Sequence, residues 1–373
     1  MIPSAYVHIP FCAHICTYCA FARTARLDWI EPWLEQCVAE IQTTLRHARK
    51  EDENFALQTV YFGGGTPSLL SVDQLKRLTD CFRPYLADEY EWTIEANPES
   101  IDKEKLKFLH QAGLNRLSIG IQTFDDARLK QLGRHHSSSQ AKECIAMARN
   151  AGFDNISVDL MYGFLDQTPE QLENDLDAFL DLDVEHLSIY SLILEPDSIL
   201  GRRQTEEMDE QESGQLFEQI ETRLEKAGYT HYEISSYAKE NHYGLHNVLI
   251  WQDGLYYGFG YGAIARNEQG LYHHTGGLKD YIEGNSQLEY DEDANPWFDA
   301  IMTGLRTIFG LNLNAWNKKY GFDFEARYPK TLERYVDHFQ LKDGYLSVDR
   351  KGMEILDSIL VDFLMEDESA GSI

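Results

Sequence analysis

The chain has 373 residues, 43% of them hydrophobic, so it can bury a large core and form one large domain with a small one. Its formal net charge is -29, from 33 basic and 62 acidic side chains. This charge argues against nucleic acid as the main partner, because phosphate contacts require clustered Lys and Arg. We find no signal peptide and no apolar run of bilayer length, and six cysteines then suggest a reducing compartment. We therefore expect a cytoplasmic protein without a transmembrane segment.

The first predicted strand leads directly into a loop with three closely spaced cysteines. Cys12, Cys16 and Cys19 follow a C-x3-C-x2-C spacing that neither one helix face nor one strand face can present, so we expect the loop to wrap around a metal centre. Soft thiolates select zinc, copper(I) or iron-sulfur clusters. Three thiolates would leave one iron of a [4Fe-4S] cluster open to a non-protein ligand. A zinc site completed by His8 or His14 is the alternative, and a disulfide is less favoured.

The chain then alternates predicted strands and helices as far as residue 228. Six strands with intervening helices, at a period of about forty residues, indicate a parallel α/β sheet with right-handed crossovers. Such a sheet can close as a barrel, lie open and doubly wound, or stop as an incomplete barrel. The predicted strands are 4–9, 58–62, 91–95, 116–122, 155–161 and 186–192. The predicted helices are 28–49, 71–85 with Ser71 as N-cap, 102–112, 125–132, 137–151, 169–182 and 206–228.

Polar and Gly-rich stretches follow the predicted strands. The cysteine loop follows the first strand, residues 63–67 (Gly-Gly-Gly-Thr-Pro) follow the second, and residues 95–98, Gln122 and Asp159 mark the ends of the next three. Because the carboxyl ends of parallel strands form the active-site edge of α/β folds, we expect these five stretches to converge on one site.

The alternation ends near the acidic run 291–293. Beyond it we predict helices at 296–307, 314–320, 331–339 and 350–363 and a hairpin at 341–348 with an Asp-Gly turn, which suggests a small winged-helix-like α+β domain. From residue 290 onward 16 acidic side chains outnumber 9 basic ones, which favours an interaction or lid role over nucleic-acid binding. The acidic runs 206–210 and 366–368 are expected on solvated faces and caps.

Several motifs occur in a recognisable order. They are Tyr-Val-His-Ile-Pro-Phe-Cys-x3-Cys-x2-Cys from residue 6, Gly-Gly-Gly-Thr-Pro at 63–67, Glu-Ala-Asn-Pro at 95–98, the segment 116–124, Leu-Gly-Arg-His-His-Ser at 132–137, Asp-Leu-Met-Tyr-Gly at 159–163, the segment 232–238 and His-Asn-x3-Trp at 246–251. This series resembles the radical S-adenosylmethionine (SAM) proteins of the coproporphyrinogen oxidase-like branch, over nearly the whole chain. Within that branch it is most similar to the heme chaperones.

The resemblance implies an incomplete (β/α)6-type radical SAM barrel over 1–228, a strand/loop extension over 229–290 that carries the His246-Asn247 motif, and the winged-helix-like domain over 291–373. It also implies that Cys12, Cys16 and Cys19 hold a [4Fe-4S] cluster whose fourth iron binds SAM. The residues implied to contact SAM are Tyr6, Tyr18, Gly64, Gly65, Thr66, Glu95, Gln122, Arg134 and Asp159. Taken singly, such glycines and acids are more often turn residues and helix caps.

The resemblance also implies that His246, Asn247 and Trp251 contact heme. His246 is the candidate ligand of the iron, since histidine is a common ligand of heme iron. The family signature His-Asn-x-x-Tyr-Trp has Ile250 in place of the tyrosine, and the usual Cys-Asp-Phe has Ala20 in place of the acid. The rival histidine ligands are His242, His273 and His274.

Phe21 bears on the reaction, since the related oxygen-independent coproporphyrinogen dehydrogenase carries a further cysteine there. That relative also has a long N-terminal extension, and both differences favour a heme chaperone that passes heme to an unknown acceptor protein. The alternative is a radical SAM enzyme that generates a 5'-deoxyadenosyl radical to act on a porphyrinogen or to methylate another substrate. A reductant protein is a further candidate partner, and both a monomer and a homodimer remain open.

Overall fold

The computed structural model describes residues 2–203, 206–291 and 295–369, the side chains of 368 and 369 excepted. None of the helices in these ranges combines the length and the apolar character that a membrane crossing needs. The acidic residues 292 and 293, where we place a domain boundary, lie outside the described residues.

Six parallel strands run side by side in the order in which they occur along the chain. Helices connect consecutive strands along the chain, and this sequential order is that of a (β/α) barrel, because a doubly wound sheet reverses its strand order. The sheet does not close, since other strands occupy the free edges of the first and sixth. The predicted incomplete barrel is therefore confirmed. Its strands are Ser4–Ile9 (β1), Leu57–Gly64 (β2), Leu86–Ala96 (β3), Arg116–Gln122 (β4), Ile156–Tyr162 (β5) and His186–Ser191 (β6).

All the helices of this part except the first begin at side-chain caps, which the sequence predicts in part. Ser71 caps its helix and forms a capping box with Gln74, as expected. The helix predicted at 206–228 begins later, where the Asp209 carboxylate accepts the first backbone N–H groups. The helices are Ile30–Glu51 (α1), Val72–Phe82 (α2), Lys103–Ala112 (α3), Asp126–Leu132 (α4), Ser138–Ala151 (α5), Pro169–Leu180 (α6), Ile199–Arg202 (α7) and Glu210–Lys226 (α8), with 3-10 turns at Leu27–Trp29, Pro67–Leu69 and Arg83–Tyr85.

The two faces of β1–β6 differ in chemistry. Side chains alternate between faces along a strand, and one face, with Val7, Phe62 and Ile94 among its members, packs in the main hydrophobic core. The other face carries polar side chains, among them Glu95 and Asp159, on successive strands. Parallel strands covered on both faces are usually apolar throughout. The polar inner face therefore marks the interior of the incomplete barrel as the place where a site can form.

Residues 229–290 extend the sheet at both edges to give the twelve-stranded order β12-β11-β10-β9-β1-β2-β3-β4-β5-β6-β8-β7. The chain crosses from one edge to the other through a helix, α9, whose N-cap residue Gly244 has no capping side chain. The carboxylate of Glu91 on β3 instead accepts the N–H groups of Leu245 (3.0 Å) and His246 (2.9 Å). The added elements are Thr230–Glu233 (β7), Ser236–Ala238 (β8), Leu245–Trp251 (α9), Tyr256–Phe259 (β9), Ile264–Asn267 (β10), Gly270–His274 (β11), Leu278–Ile282 (α10) and Leu288–Tyr290 (β12).

The C-terminal residues form helices around a separate three-stranded sheet, order β13-β15-β14, with their own hydrophobic core. The prediction of a helix at 331–339 is wrong. Pro329 starts a short helix that ends at Arg334, and a strand begins at Phe339. The elements are Pro296–Leu305 (α11), Leu311–Asn312 (β13), Leu313–Tyr320 (α12), Phe324–Arg327 (α13), Pro329–Arg334 (α14), Phe339–Lys342 (β14), Tyr345–Val348 (β15), Arg350–Glu354 (α15) and Leu356–Ser369 (α16). The three-segment division of the chain stays a prediction.

Two acids of the run 366–368 are buried, so the prediction of a solvated face is wrong for them. Glu366 accepts hydrogen bonds from the backbone N–H and hydroxyl of Thr331 at 2.8 and 2.7 Å. Asp367 accepts the indole N–H of Trp297 (2.7 Å) and pairs with Arg327. These bonds fix α16 to α11, α13 and α14.

Candidate cofactor site

The cysteine loop joins β1 to α1 and is held at several points. The N–H of Cys12 donates to the carbonyl of Thr24 (3.0 Å), and the N–H of Thr17 donates to the carbonyl of Leu132 (3.0 Å). The hydroxyl of Thr66 reaches the Cys12 sulfur (3.6 Å), and none of the three thiols is in a disulfide. The loop therefore presents its sulfurs from a fixed backbone.

The donor set fits an iron-sulfur cluster. Among the described residues no group of three or more His, Cys, Asp or Glu is arranged around a single metal-ion position. The cysteines of a cluster bind separate irons, so they need no such convergence. Burial raises the pKa of Cys12 to about 11 and also raises that of Cys19, so metal binding releases protons from this loop.

A cavity of about 650 Å³ opens at the carboxyl edge of the sheet. The cysteines line it, together with every residue predicted to contact SAM except Tyr6. The backbone of the glycine loop packs closely here, because a Cβ on Gly65 would lie 2.8 Å from the carbonyl oxygen of Phe11. Gly64 also needs glycine, since its φ is +111° and a Cβ would meet the ring of His8. The sequence prediction of five converging stretches agrees with this geometry.

Four carboxylates of the described residues line the cavity, and two of them, Glu95 and Asp159, belong to the predicted SAM set. Glu95 accepts hydrogen bonds from the hydroxyl of Tyr61 (2.9 Å) and the N–H of Gly64 (3.0 Å). Asp159 accepts from the hydroxyl of Ser118 (3.0 Å). Burial, followed by the charge of Asp159, raises the pKa of Glu95 to about 7, and burial raises the pKa of Asp159. A cationic ligand would favour the charged carboxylates, and SAM carries an amino group and a sulfonium.

In the described part of the chain Arg134 is, with Arg23, one of the two arginines that line the cavity. Its guanidinium donates to the side-chain oxygen of Asn97 (2.8 Å) and to the carbonyl of Gly120, and it lies 3.8 Å from the Cys16 sulfur. Its Nε has no hydrogen-bond partner although it is buried. Gln122 lies at a register shift of β4 with a φ of +72°, a conformation that non-glycine residues adopt at a cost. Both side chains line the cavity beside the cysteine loop.

The two tyrosines predicted to flank SAM lie at different depths. Tyr18 lines the cavity and packs against Leu132 and Met161. Tyr6 does not line it, and its hydroxyl is instead bonded to the His8 ring at 3.0 Å. The structure thus brings together the predicted SAM residues with this one exception.

The residues predicted to contact heme do not line the cavity. His246 is 2% exposed, its Nδ1 lies 3.0 Å from the Ser4 hydroxyl and 2.9 Å from that of Thr59, and its buried Nε2 has no partner. Burial and then the charge of Arg116 lower the pKa of His246 to about 3. Its ring stacks on Tyr61 with centroids 5.1 Å apart. His246 therefore lies in the barrel interior, beneath the tyrosine that supports Glu95.

The other members of the heme set lie outside the cavity as well. Asn247 is half-buried, and the guanidinium of Arg306 lies 5.8 Å from the ring of Trp251. Of the rival ligands, His274 pairs with Glu40 and His242 bonds the carbonyl of Glu240. The heme residues stay a prediction.

Sequence reasoning missed several residues of this region. Ser118 and Tyr190 line the cavity, and their positions on the inner face of β4 and β6 were the signal that could have identified them. His135 also lines it and stacks, with centroids 3.8 Å apart, on His14, which the sequence offered only as an alternative zinc ligand. No local pattern relates two positions so far apart in the chain.

Comparison with known proteins gives a consistent result. The family model of the Radical SAM superfamily matches residues 6–179. The heme chaperone HemW of Lactococcus lactis subsp. lactis (strain IL1403) is 32% identical over 98% of both chains. HemW of Bacillus subtilis (strain 168) is 34% identical over 88% of this chain and 90% of its own. The structure of coproporphyrinogen III oxidase (HemN) from Escherichia coli has a TM-score of 0.81 at 22% identity, over 97% of this chain and 90% of its own. This last similarity concerns the fold alone.

Proposed function

This chain belongs to the HemW family of heme chaperones within the radical SAM superfamily, and we propose that it binds heme and transfers it to an acceptor protein. In this proposal it holds a [4Fe-4S] cluster with SAM on the open iron. The observation that carries the proposal is the single cavity lined by the three cysteines and nearly all the SAM residues. Alignment with the Lactococcus relative over almost the full length of both chains supports a common role for the whole chain.

Cys12, Cys16 and Cys19 would hold the cluster. When bound, such a cluster supplies one-electron redox chemistry. Arg134 lies beside the Cys16 sulfur and would offset the negative charge of the thiolates. Because Arg134 is itself held by Asn97 and Gly120, it needs no reorganisation to do so.

The SAM residues divide by charge. Glu95 and Asp159 would attract the cationic groups of SAM, and both are oriented by hydroxyl donors, from Tyr61 and Ser118. Gly64, Gly65 and Thr66 would offer open backbone, while Tyr18 and Gln122 border the ligand. Tyr6 lies outside the cavity, so it would affect SAM binding only indirectly, through residues that it contacts such as His8.

His246, Asn247 and Trp251 remain the candidates that the sequence offers for heme. Ligation by His246 would require α9 to withdraw, since Glu91 holds the first N–H groups of this helix and the imidazole is enclosed. We propose further that the protein works in the cytoplasm as a monomer or homodimer, with a heme acceptor and a reductant protein as partners.

The experiment starts from protein reconstituted anaerobically with iron and sulfide. Hemin is titrated while the Soret band is followed, and the loaded protein is then mixed with an apo-acceptor that reports transfer by its own spectrum. We expect stoichiometric binding followed by transfer, and a failure to bind hemin would refute the proposal. Cys81→Ser removes a cysteine that lies outside the cavity. It is the control variant, and it should bind and transfer hemin as the wild type does.

A second assay addresses the enzymatic alternative. The formation of 5'-deoxyadenosine is measured with a reductant, with and without coproporphyrinogen. If the protein is a chaperone, the porphyrinogen should not increase the rate at which 5'-deoxyadenosine forms. Strong stimulation together with weak heme binding would favour the enzyme.

A further inference from the structure

Two exposed histidines meet at the mouth of the cavity. His14 comes from the cysteine loop and His135 follows Arg134, and their rings stack at a centroid distance of 3.8 Å with an interplanar angle of 25°. Both side chains line the cavity that the cysteines line. The pair therefore brings two imidazoles to the surface next to the cluster loop.

These imidazoles also lack the partners that occupy most histidines of this chain. Among the described residues only the imidazoles of His14, His110, His135 and His273 have neither a hydrogen bond nor an ion pair. His110, in α3, packs on Phe153, and His273 lies on β11. Neither lines the cavity. A neutral imidazole with an unbonded nitrogen is a common metal ligand.

The surroundings of the pair favour an iron porphyrin over a bare metal ion. A bare ion needs several protein ligands, and no third His, Cys, Asp or Glu in the described residues completes a single-ion site. The iron of heme already has four ring nitrogens and takes only its axial ligands from the protein. One surface imidazole is then enough.

The mouth of the cavity also offers apolar surface to a flat ligand. Phe21 is 69% exposed, Ile193 is 65% exposed, and both line the cavity together with Tyr190. Arg23 donates to the carbonyl of Phe21 at 2.9 Å and fixes the backbone of that residue. Large exposed apolar side chains grouped at a cavity mark a binding surface.

We propose that the His14–His135 pair ligates the heme iron at the mouth of the cavity, with one imidazole on the iron and the other stacked against it. Phe21 and Ile193 then lie under the porphyrin. This inference rests on the proposed function, since it concerns the cargo of that function. It differs from ligation by His246, which is enclosed in the barrel interior.

The test titrates hemin into the full chain carrying His14→Ala, His135→Ala or both substitutions. We expect the double variant to bind hemin at least about tenfold more weakly, since even the loss of a group that supports a metal ligand costs 10- to 100-fold. We also expect it to lose the spectrum of a histidine-ligated ferric heme, and added imidazole should restore that spectrum. His273→Ala is the matched control, because this imidazole is also exposed and unbonded but lies outside the cavity.

His14 lies between two cluster cysteines, so iron and sulfide content is measured for every variant, and the titration is repeated on metal-free protein. Comparison of the metal-free double variant with the metal-free wild type keeps the test decisive if His14→Ala loses the cluster. Wild-type affinity and an unchanged spectrum in the double variant would overturn the inference while leaving the proposed function intact. Absence of hemin binding by the wild type would instead overturn both.

Discussion

Replacing Glu95 by glutamine should change how the stability of the metal-free, SAM-free chain depends on pH. The pKa of this carboxyl is raised from its ordinary 4.5 to about 7 by burial and then by Asp159. A raised acid pKa means that the folded state binds the proton more tightly than the unfolded state does. The protonated carboxyl therefore contributes fully to the free energy of unfolding below pH 4.5, and this contribution is lost as the pH rises through 7.

The size of the effect follows from the same values. A rise from 4.5 to about 7 corresponds to at most about 3 kcal/mol, at 1.36 kcal/mol per pH unit. Glu95 is only half-buried because it faces the cavity, and water there reduces the effect, so we expect about 1 to 3 kcal/mol. In glutamine the amide oxygen can accept the N–H of Gly64 while the NH2 group donates to the hydroxyl oxygen of Tyr61, and any change in the strength of these bonds adds an offset that does not depend on pH.

The assay is urea unfolding of the wild type and of Glu95→Gln at a series of pH values from 4.5 to 8. The free energy of unfolding of the variant minus that of the wild type should increase across this range and level off above pH 7. Glu89→Gln, on the exposed part of the same strand, should give a constant difference. A constant difference for Glu95→Gln as well would refute the reasoning that the ionised carboxylate of Glu95 destabilises the folded state.

Three further predictions concern the loop, the cluster and the C-terminal helix. Gly65→Ala should prevent cluster incorporation, measured as bound iron, because its Cβ would lie 2.8 Å from Phe11, whereas Gly214→Ala in α8 has open space and should retain iron and gain up to about 1 kcal/mol in stability. Cys16→Ser should lose the visible absorbance of the cluster after reconstitution, and retention of the wild-type iron content would count against the three-cysteine site. Asp367→Asn should lower the free energy of unfolding by about 3 kcal/mol, because it leaves Arg327 without its partner; a loss below about 1 kcal/mol in urea unfolding would show that the pair contributes little.

Much of the fold was predictable because its signals are local. The spacing of Cys12, Cys16 and Cys19 indicates a metal loop without reference to the rest of the chain. The alternation of strands and helices as far as residue 228 indicates a parallel sheet, and the polar stretch after each strand indicates which edge carries the site. Capping by Ser71 depends on Gln74, three residues away.

The features that only the tertiary structure decided involve partners far apart in the chain. The sequence offered His246 as a heme ligand and gave no sign of its burial, but Ser4 and Thr59 enclose it because α9 spans the barrel interior. Glu366 and Asp367 looked solvated, but α16 packs them against α11, α13 and α14. The physical reason is common to all of these cases. Periodicity and capping act over a few residues, whereas burial and the meeting of side chains such as His14 and His135 depend on how strands pair and how the sheet curves, which no short stretch of sequence encodes.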